Sequence, residues 1–219
     1  MGVRECLSAC LVLFILPLAL EAQQIGAGTS FWFAFPVNSS GSPLEDELIV
    51  TISSQTTNFG SIEIPGQPWS QNFYIQPHSS VEILLPDFFS EIETDQIAEN
   101  RGIHITTDQP ATVQVFNYGA ASYDGTRILP ENLLGTSYMI ASYEGLTVGN
   151  GSMALVVAAH DNTEVEITPA VATSAGNAAG IPFTIQLNQG ETYRIEAFNN
   201  GDLTGTSILS TEVSGECRP

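Results

Sequence analysis

Histidines, one cysteine outside the N-terminal leader and a scatter of carboxylates are the residues of this chain that could do chemistry. His78 follows Pro77, His104 lies in the alternating run Gly102–Thr106, and His160 opens His160-Asp161-Asn162-Thr163. Zinc needs several ligands brought together, commonly from local pairs such as H-E-x-x-H, and no such spacing occurs. His160 beside Asp161 has the residue types of part of a nucleophilic triad. Asp-Asn between two strands is equally turn chemistry, each side chain capping its own backbone, and that is the better account. No G-x-S-x-G elbow, phosphate-cradling glycine loop or usable thiol nucleophile is present. The sequence therefore predicts no catalytic residue, no metal ligand and no cofactor.

Paired carboxylates of a glycosidase are harder to dismiss, because the chain is rich in acid and any two could meet. Glu164 and Glu166 share the wet face of one strand, as residues of a solvated face do. Glu45-Asp46-Glu47 and Glu91-Ile-Glu-Thr-Asp95 could gather calcium through carboxylate oxygens, but neither matches an EF-hand loop, and both read as solvated acidic loops. Aromatic residues say more. Thr29-Ser-Phe-Trp-Phe-Ala-Phe35 alternates, so Phe31, Phe33 and Phe35 share one face and belong to a core, with Trp32 on the other. Trp32, Trp69 and Tyr74 are the candidates for an exposed platform that contacts a sugar ring or a protein partner. Packing in a core or between modules is their competing fate.

The elements that position these residues are strands. Val165 and Ile167 alternate with Glu164, Glu166 and Thr168; Phe183, Ile185 and Leu187 alternate with Thr184 and Gln186. Such a period of two marks strands with one buried and one wet face. Leu48–Ser53 and Met153–Ala158 are apolar on both faces and belong centrally in their sheets. Turn formers such as Pro65-Gly66, Asp108-Gln-Pro110 and Asn188-Gln-Gly190 separate the runs at hairpin spacing. Only Pro86–Ile97 and Pro130–Leu134 have room for a helical turn or two. The chain is all-β.

The strand pattern occurs twice. Runs at 48–53, 61–64, 72–75, 81–85, 102–106 and 111–116 are followed by a second set at 153–158, 164–168, 182–187, 191–197 and 205–208. Ile62 to Ile105 and Val165 to Ile208 both span 43 positions, although the first copy carries an acidic insert at 88–100 and the second a small-residue insert at 172–180. The expected architecture is two tandem antiparallel β-sandwich-like halves, about 28–117 and 152–219, joined by a connection over 118–151. No sixth strand is evident in the second copy. The second half therefore reads as truncated, with Thr206–Leu209 near an open edge that would recruit another chain.

Compartment follows from the N-terminus. Cys6–Leu20 is a nearly continuous apolar run, preceded by Arg4 and followed by Glu21-Ala22-Gln23-Gln24, the layout of a secretory signal peptide over 1–22. It is shorter than the roughly 20 apolar residues a membrane span needs, and it contains Pro17. Cleavage after Ala22 removes Arg4, Glu5 and Glu21 and moves the net charge from −19 to −18. There is no lysine. A surface this acidic repels phosphate backbones and anionic lipid, so neither nucleic acid nor membrane insertion is expected. Cys6 and Cys10 leave with the leader, and Cys217 remains as an odd thiol able to form an intermolecular disulfide. Asn38-Ser-Ser and Asn150-Gly-Ser fit the N-glycosylation pattern at Asn38 and Asn150.

Specific strings then carry a resemblance. Gly28–Phe35, Asn100–Pro110, Leu129–Tyr138, Val157–Thr168, Leu187–Tyr193 and Asp202–Thr206 are similar, in order, to the N-terminal domain of IgGFc-binding proteins. The resemblance runs from about Gly28 to Ser210. It implies an extracellular, non-enzymatic binding or adhesion module of the kind found in secreted mucus proteins and bacterial surface proteins, with no catalytic residue to carry over. This chain departs from the family at Ser210–Cys217, which lacks the apolar middle of the corresponding strand, and in having no von Willebrand-type cysteine-rich repeats. Immunoglobulin Fc is a partner by family name only. The expected function is contact with a mucus or extracellular-matrix protein or glycan. A lectin-like module is the first rival, and a carbohydrate-active enzyme using two carboxylates the second.

Overall fold

A computed structural model describes residues 26–36, 47–86, 91–92, 98–119, 123–145 and 151–217, apart from the side chains of Glu91, Glu216 and Cys217. The period-two runs form strands throughout, and the two runs at 102–106 and 111–116 fuse into one long strand, β8 (Ile103–Tyr118). One edge of β8 pairs first with β4 (Asn58–Ile64) and then with β3 (Glu47–Ser54). The other edge pairs with β1 (Gly28–Phe33) and then with β9 (Tyr123–Ile128). β5 (Trp69–Ile75) lies outside β4, and β6 (Ser79–Leu84) outside β3. The seven strands make a nearly closed barrel.

The change of neighbours falls at Asp108–Pro110, which have no ladder partner. Pro110 has no N–H to offer a ladder and suits a corner. Buried Asn58 closes it: its Nδ2 donates to Gln109 O at 2.7 Å, and Gln109 N donates to its Oδ1 at 3.0 Å. The backbone freed by the corner is thus satisfied inside the protein.

The second half repeats this plan. β15 (Ser207–Cys217) takes the place of β8 and pairs along one edge with β12 (Thr163–Thr168) and then β11 (Met153–Ala158). β10 (Gly135–Met139) lies on its other edge, as β1 does on β8, with the same irregularity after its glycine. β13 (Phe183–Leu187) and β14 (Thr192–Glu196) flank β12 and β11. The corner recurs as well: Thr107 Oγ1 donates to Gln109 O at 2.8 Å, and Ser210 Oγ to Glu212 O at 2.6 Å. No described strand matches β9 here, so this half is a half-barrel.

Three expectations need correction. The second copy has its long central strand: β15 continues through Val213–Cys217, and Ser207–Leu209 are flanked on both edges by β12 and β10. The strand was hidden because its buried positions are filled by small residues. Ser214 is buried, its carbonyl accepts the Tyr138 hydroxyl, and a Cβ on Gly215 would come 3.2 Å from Trp32 O. Second, the shared 43-residue spacing is not the structural correspondence. Ile62 faces Ile105, but Ile167 rather than Val165 faces Ile208. Third, the stretch 118–151 gives a strand to each half, β9 to the first and β10 to the second. Of the two helical turns expected, Glu131–Leu133 forms a single 3-10 turn. Most of Pro86–Ile97 lies outside the described residues, apart from β7 (Glu91–Ile92), which pairs with β2 (Phe35–Pro36).

Each half has its own core, around Phe31, Ile62 and Val113 in the first and Val156, Ile167 and Ile208 in the second. A third cluster joins them: Trp32, Ala34 and Ile92 pack on Leu155, Val157 and Ala159. This explains why β11 is apolar on both faces. One face fills its own core and the other meets the first half. Backbone bonds cross the junction too, between Glu99 and Thr192 in both directions and from Gly102 N to Gly190 O at 2.9 Å. A Cβ on Gly102 would stand 2.5 Å from that oxygen, which is why glycine is needed there.

Candidate functional site

Two surfaces of the first half gather polar side chains, and both lie on the outward face of β5, β4, β8 and β1. Alternation sends Phe31, Ile62, Ile105 and Phe73 inward, and leaves Tyr74, Asn72, Phe59, Ser61, Glu63, Thr106, His104 and Ser30 outside the barrel core. Ladder register sets them in rows. Asn72, Ser61, Thr106 and Ser30 face one another across four strands. In the next row stand Ser70, Glu63, His104 and Trp32.

One end of this face runs into a groove of about 640 Å3 at the junction of the halves, lined by Gly28, Ser30, Pro110, Glu131, His160 and Val213 among others. A chain of polar contacts crosses it. Glu63 Oε1 lies 3.5 Å from His104 Nδ1, and His104 Nε2 lies 3.1 Å from Ser30 Oγ. Ser30 Oγ donates to Glu131 Oε2 at 2.6 Å, and Glu131 Oε1 lies 3.5 Å from His160 Nε2. Burial holds His104 below the usual imidazole range, against the hydrogen bond that its protonated ring donates to Glu63 and the charges of Glu63 and Glu131.

Ser30, His104 and Glu63 have the residue types of a hydrolytic triad, a grouping scattered over 74 positions of chain that no local motif announced. The proton arrangement is wrong for it. A nucleophilic serine must give its proton to the imidazole. Ser30 has one proton and directs it to the carboxylate of Glu131, so it has none to give the imidazole across the 3.1 Å Ser30–His104 contact. The arrangement ties β1 to β8 and to the 3-10 turn.

The other end of the face carries aromatic side chains. Phe59 and Tyr74 are opposite one another on β4 and β5, with ring centroids 5.0 Å apart and planes tilted by 43°. They are 56 % and 49 % exposed. A depression of about 460 Å3 beside them is lined by Phe59, Ser61, Asn72, Thr106, Thr107 and Asp108 among others.

The sequence candidates separate accordingly. Tyr74 is exposed and paired. Trp32 is only 2 % exposed and stacks on His104, so it offers no face to a ligand. Trp69 is half-buried against the core of the first half. Phe59 was not singled out in the sequence, because Asn58-Phe-Gly60 reads as a turn; these residues instead open β4, where register places Phe59 opposite Tyr74. His78 occupies the left-handed region at φ 56° in its turn, with Nδ1 2.8 Å from Gln55 Oε1. Asp161 Oδ1 accepts from Gln189 N at 3.0 Å, so it caps the neighbouring turn at Asn188–Gly190 and not its own backbone as expected. Asn38, Asn150, Glu45, Asp46 and Asp95 lie outside the described residues, as does the side chain of Cys217. Among the described residues no aspartate or glutamate is buried, and no three potential metal ligands cluster.

Comparison with known proteins agrees with the resemblance carried by the sequence strings. Residues 124–215 match the family model of the IgGFc binding protein. The matched segment begins within β9 and takes in the second half as far as Gly215 in β15. The family is generally a non-catalytic binding domain. No curated protein and no solved structure matches the chain.

Proposed function

We propose that the protein is a secreted, non-enzymatic binding or adhesion module that contacts a protein or glycan of mucus or extracellular matrix. The observation that carries this reading is the outward face of the first half, where exposed aromatics and a row of hydroxyl and amide side chains stand beside an open depression. Such a mix of apolar surface with a few oriented polar groups is what ligand sites offer. The match at residues 124–215 to a generally non-catalytic binding family supports it. Secretion rests on the leader pattern of residues 1–22, and immunoglobulin Fc enters through the family's name alone.

The enzyme rival lacks support from either polar surface. The serine of the Ser30–His104–Glu63 grouping is committed as a donor to Glu131. Glu164 and Glu166, the pair on one strand, both stay exposed on β12. The test is affinity capture from mucus and matrix extracts with the secreted protein, with Fc in parallel and hydrolysis assays on polysaccharides and peptides. A retained, chemically unaltered ligand is expected. Turnover that disappears when one acidic residue is replaced, with the fold retained, would move the protein to the enzymes.

A further inference from the structure

We propose that the Phe59–Tyr74 end of the outward face binds neutral saccharides; the inference deepens the binding-module reading and rests on it. The internal repeat supplies the control. Register aligns β12 and β13 with β4 and β5, so that Glu164 and Gln186, directly opposite one another, occupy the places of Phe59 and Tyr74. Glu166 and Thr184 likewise occupy those of Ser61 and Asn72. The inward positions, by contrast, keep their character: Ile62 matches Ile167 and Ile75 matches Leu187, all buried. One chain therefore builds the same hairpin twice, and the second copy closes without aromatics on its wet face. Phe59 and Tyr74 are not demanded by the fold, and their exposure leaves apolar ring surface in water.

The surroundings select the ligand. A pyranose presents C–H bonds on its faces and hydroxyls at its edge, and it stacks on an aromatic ring while its rim makes hydrogen bonds. Beside Phe59 the depression offers Asn72, which can donate and accept, the contacting hydroxyls of Ser61 and Thr106 at 3.0 Å, and Asp108, which accepts. Its lining contains no basic residue, Asp108 is its one charged group, and the chain carries a net charge of −19. A sialylated or sulfated glycan would meet repulsion without a compensating cation; a neutral one does not.

The experiment is a glycan array carrying neutral oligosaccharides (N-acetyllactosamine, chitotetraose, mannotetraose) and acidic ones (sialylated, sulfated), probed with the full secreted chain. Retention of neutral members is expected, with Phe59→Ala and Tyr74→Ala each weakening it about tenfold or more. Asn72→Ala, which leaves the aromatic pair intact, should also weaken it. Glu164→Ala and Gln186→Ala, at the repeat-equivalent positions, should not. Thermal melts establish that each variant is folded. Failure to retain any neutral glycan, or retention that ignores Phe59, Tyr74 and Asn72, overturns the proposal. Capture from mucus extract separates the two levels. A partner still captured by the Phe59→Ala/Tyr74→Ala protein leaves the module reading standing without this site. Failure of the unaltered protein to capture anything sinks the module reading itself.

Discussion

The indole of Trp32 lies flat against the imidazole of His104, with ring centroids 4.1 Å apart and planes within 5° of parallel. The two residues face each other across β1 and β8. Trp32 therefore stands on the outer face of the first half and forms, with Leu155, Val157 and Ala159, the cluster that joins the second. Trp32→Ala should cost about 3–5 kcal/mol, the range for emptying a large aromatic site. Because the cavity falls at the junction, equilibrium unfolding in denaturant should also separate into two transitions where the unaltered protein shows one. A single transition at an unchanged midpoint would show that the halves do not depend on this contact.

The same stack makes stability depend on pH. Burial is the largest influence on His104 and lowers its proton affinity, although the hydrogen bond to Glu63 and the carboxylates of Glu63 and Glu131 pull the other way. The unfolded chain then binds this proton more tightly than the folded one. Stability is fully present above the ordinary histidine value of about 6.5, declines as pH falls through it toward the folded value, and levels off below that. His104→Gln should remove this part of the slope, seen in melting temperatures between about pH 5 and 7.5. Parallel profiles for the two proteins would show that the burial of His104 does not act on its proton.

Ser30 gives a prediction about reactivity. Its hydroxyl donates to Glu131 at 2.6 Å, which leaves His104 no proton to take from it. A fluorophosphonate probe, which labels serines activated by an adjacent base, should leave Ser30 unmodified at neutral pH. Glu131→Gln is the sharper test, because it weakens the acceptor while keeping its shape. Labelling at Ser30 in the unaltered protein, located by peptide mass spectrometry, would return the chain to the hydrolase class.

Much of the fold was legible in the sequence because one-sided strands announce themselves. Val165, Ile167, Phe183, Ile185 and Leu187 alternate with polar residues and lie where the alternation places them. What escaped were positions whose partner lies far along the chain. Ser214 and Gly215 do not look like strand residues until Tyr138 and Trp32 are packed against them. Trp32 looks like a free platform until β11 is laid over it. Asn58 looks like a turn residue, yet it is buried and serves the backbone of Gln109, 51 positions on. The candidate site divides in the same way. Tyr74 could be singled out as an aromatic on a wet face, whereas Phe59 and the Ser30–His104 contact depend on register, which no local pattern specifies.

Cys217 sits where β15 pairs with β11, opposite Leu155. Its backbone is thus held in the sheet, as that of its counterpart Gln114 is held in the first half by β3. On the proposed secretion, with Cys6 and Cys10 removed in the leader, this thiol is the odd one in an oxidising compartment, where an unpaired cysteine tends to find one on another chain. The edge of β8 that β9 covers has no covering strand at 215–217 of β15 among the described residues. A second chain approaching this edge would find backbone groups to pair with. The secreted protein is therefore expected to run as a dimer on non-reducing electrophoresis and as a monomer after reduction. Cys217→Ser should abolish the dimer and leave the melting temperature under reducing conditions unchanged, since the strand is held by its ladder to β11 rather than by the sulfur. A monomeric secreted protein with one titratable thiol per chain would eliminate the disulfide. A Cys217→Ser protein that loses its cooperative melt would show that the second half needs more than β11 and β12 to hold its last strand.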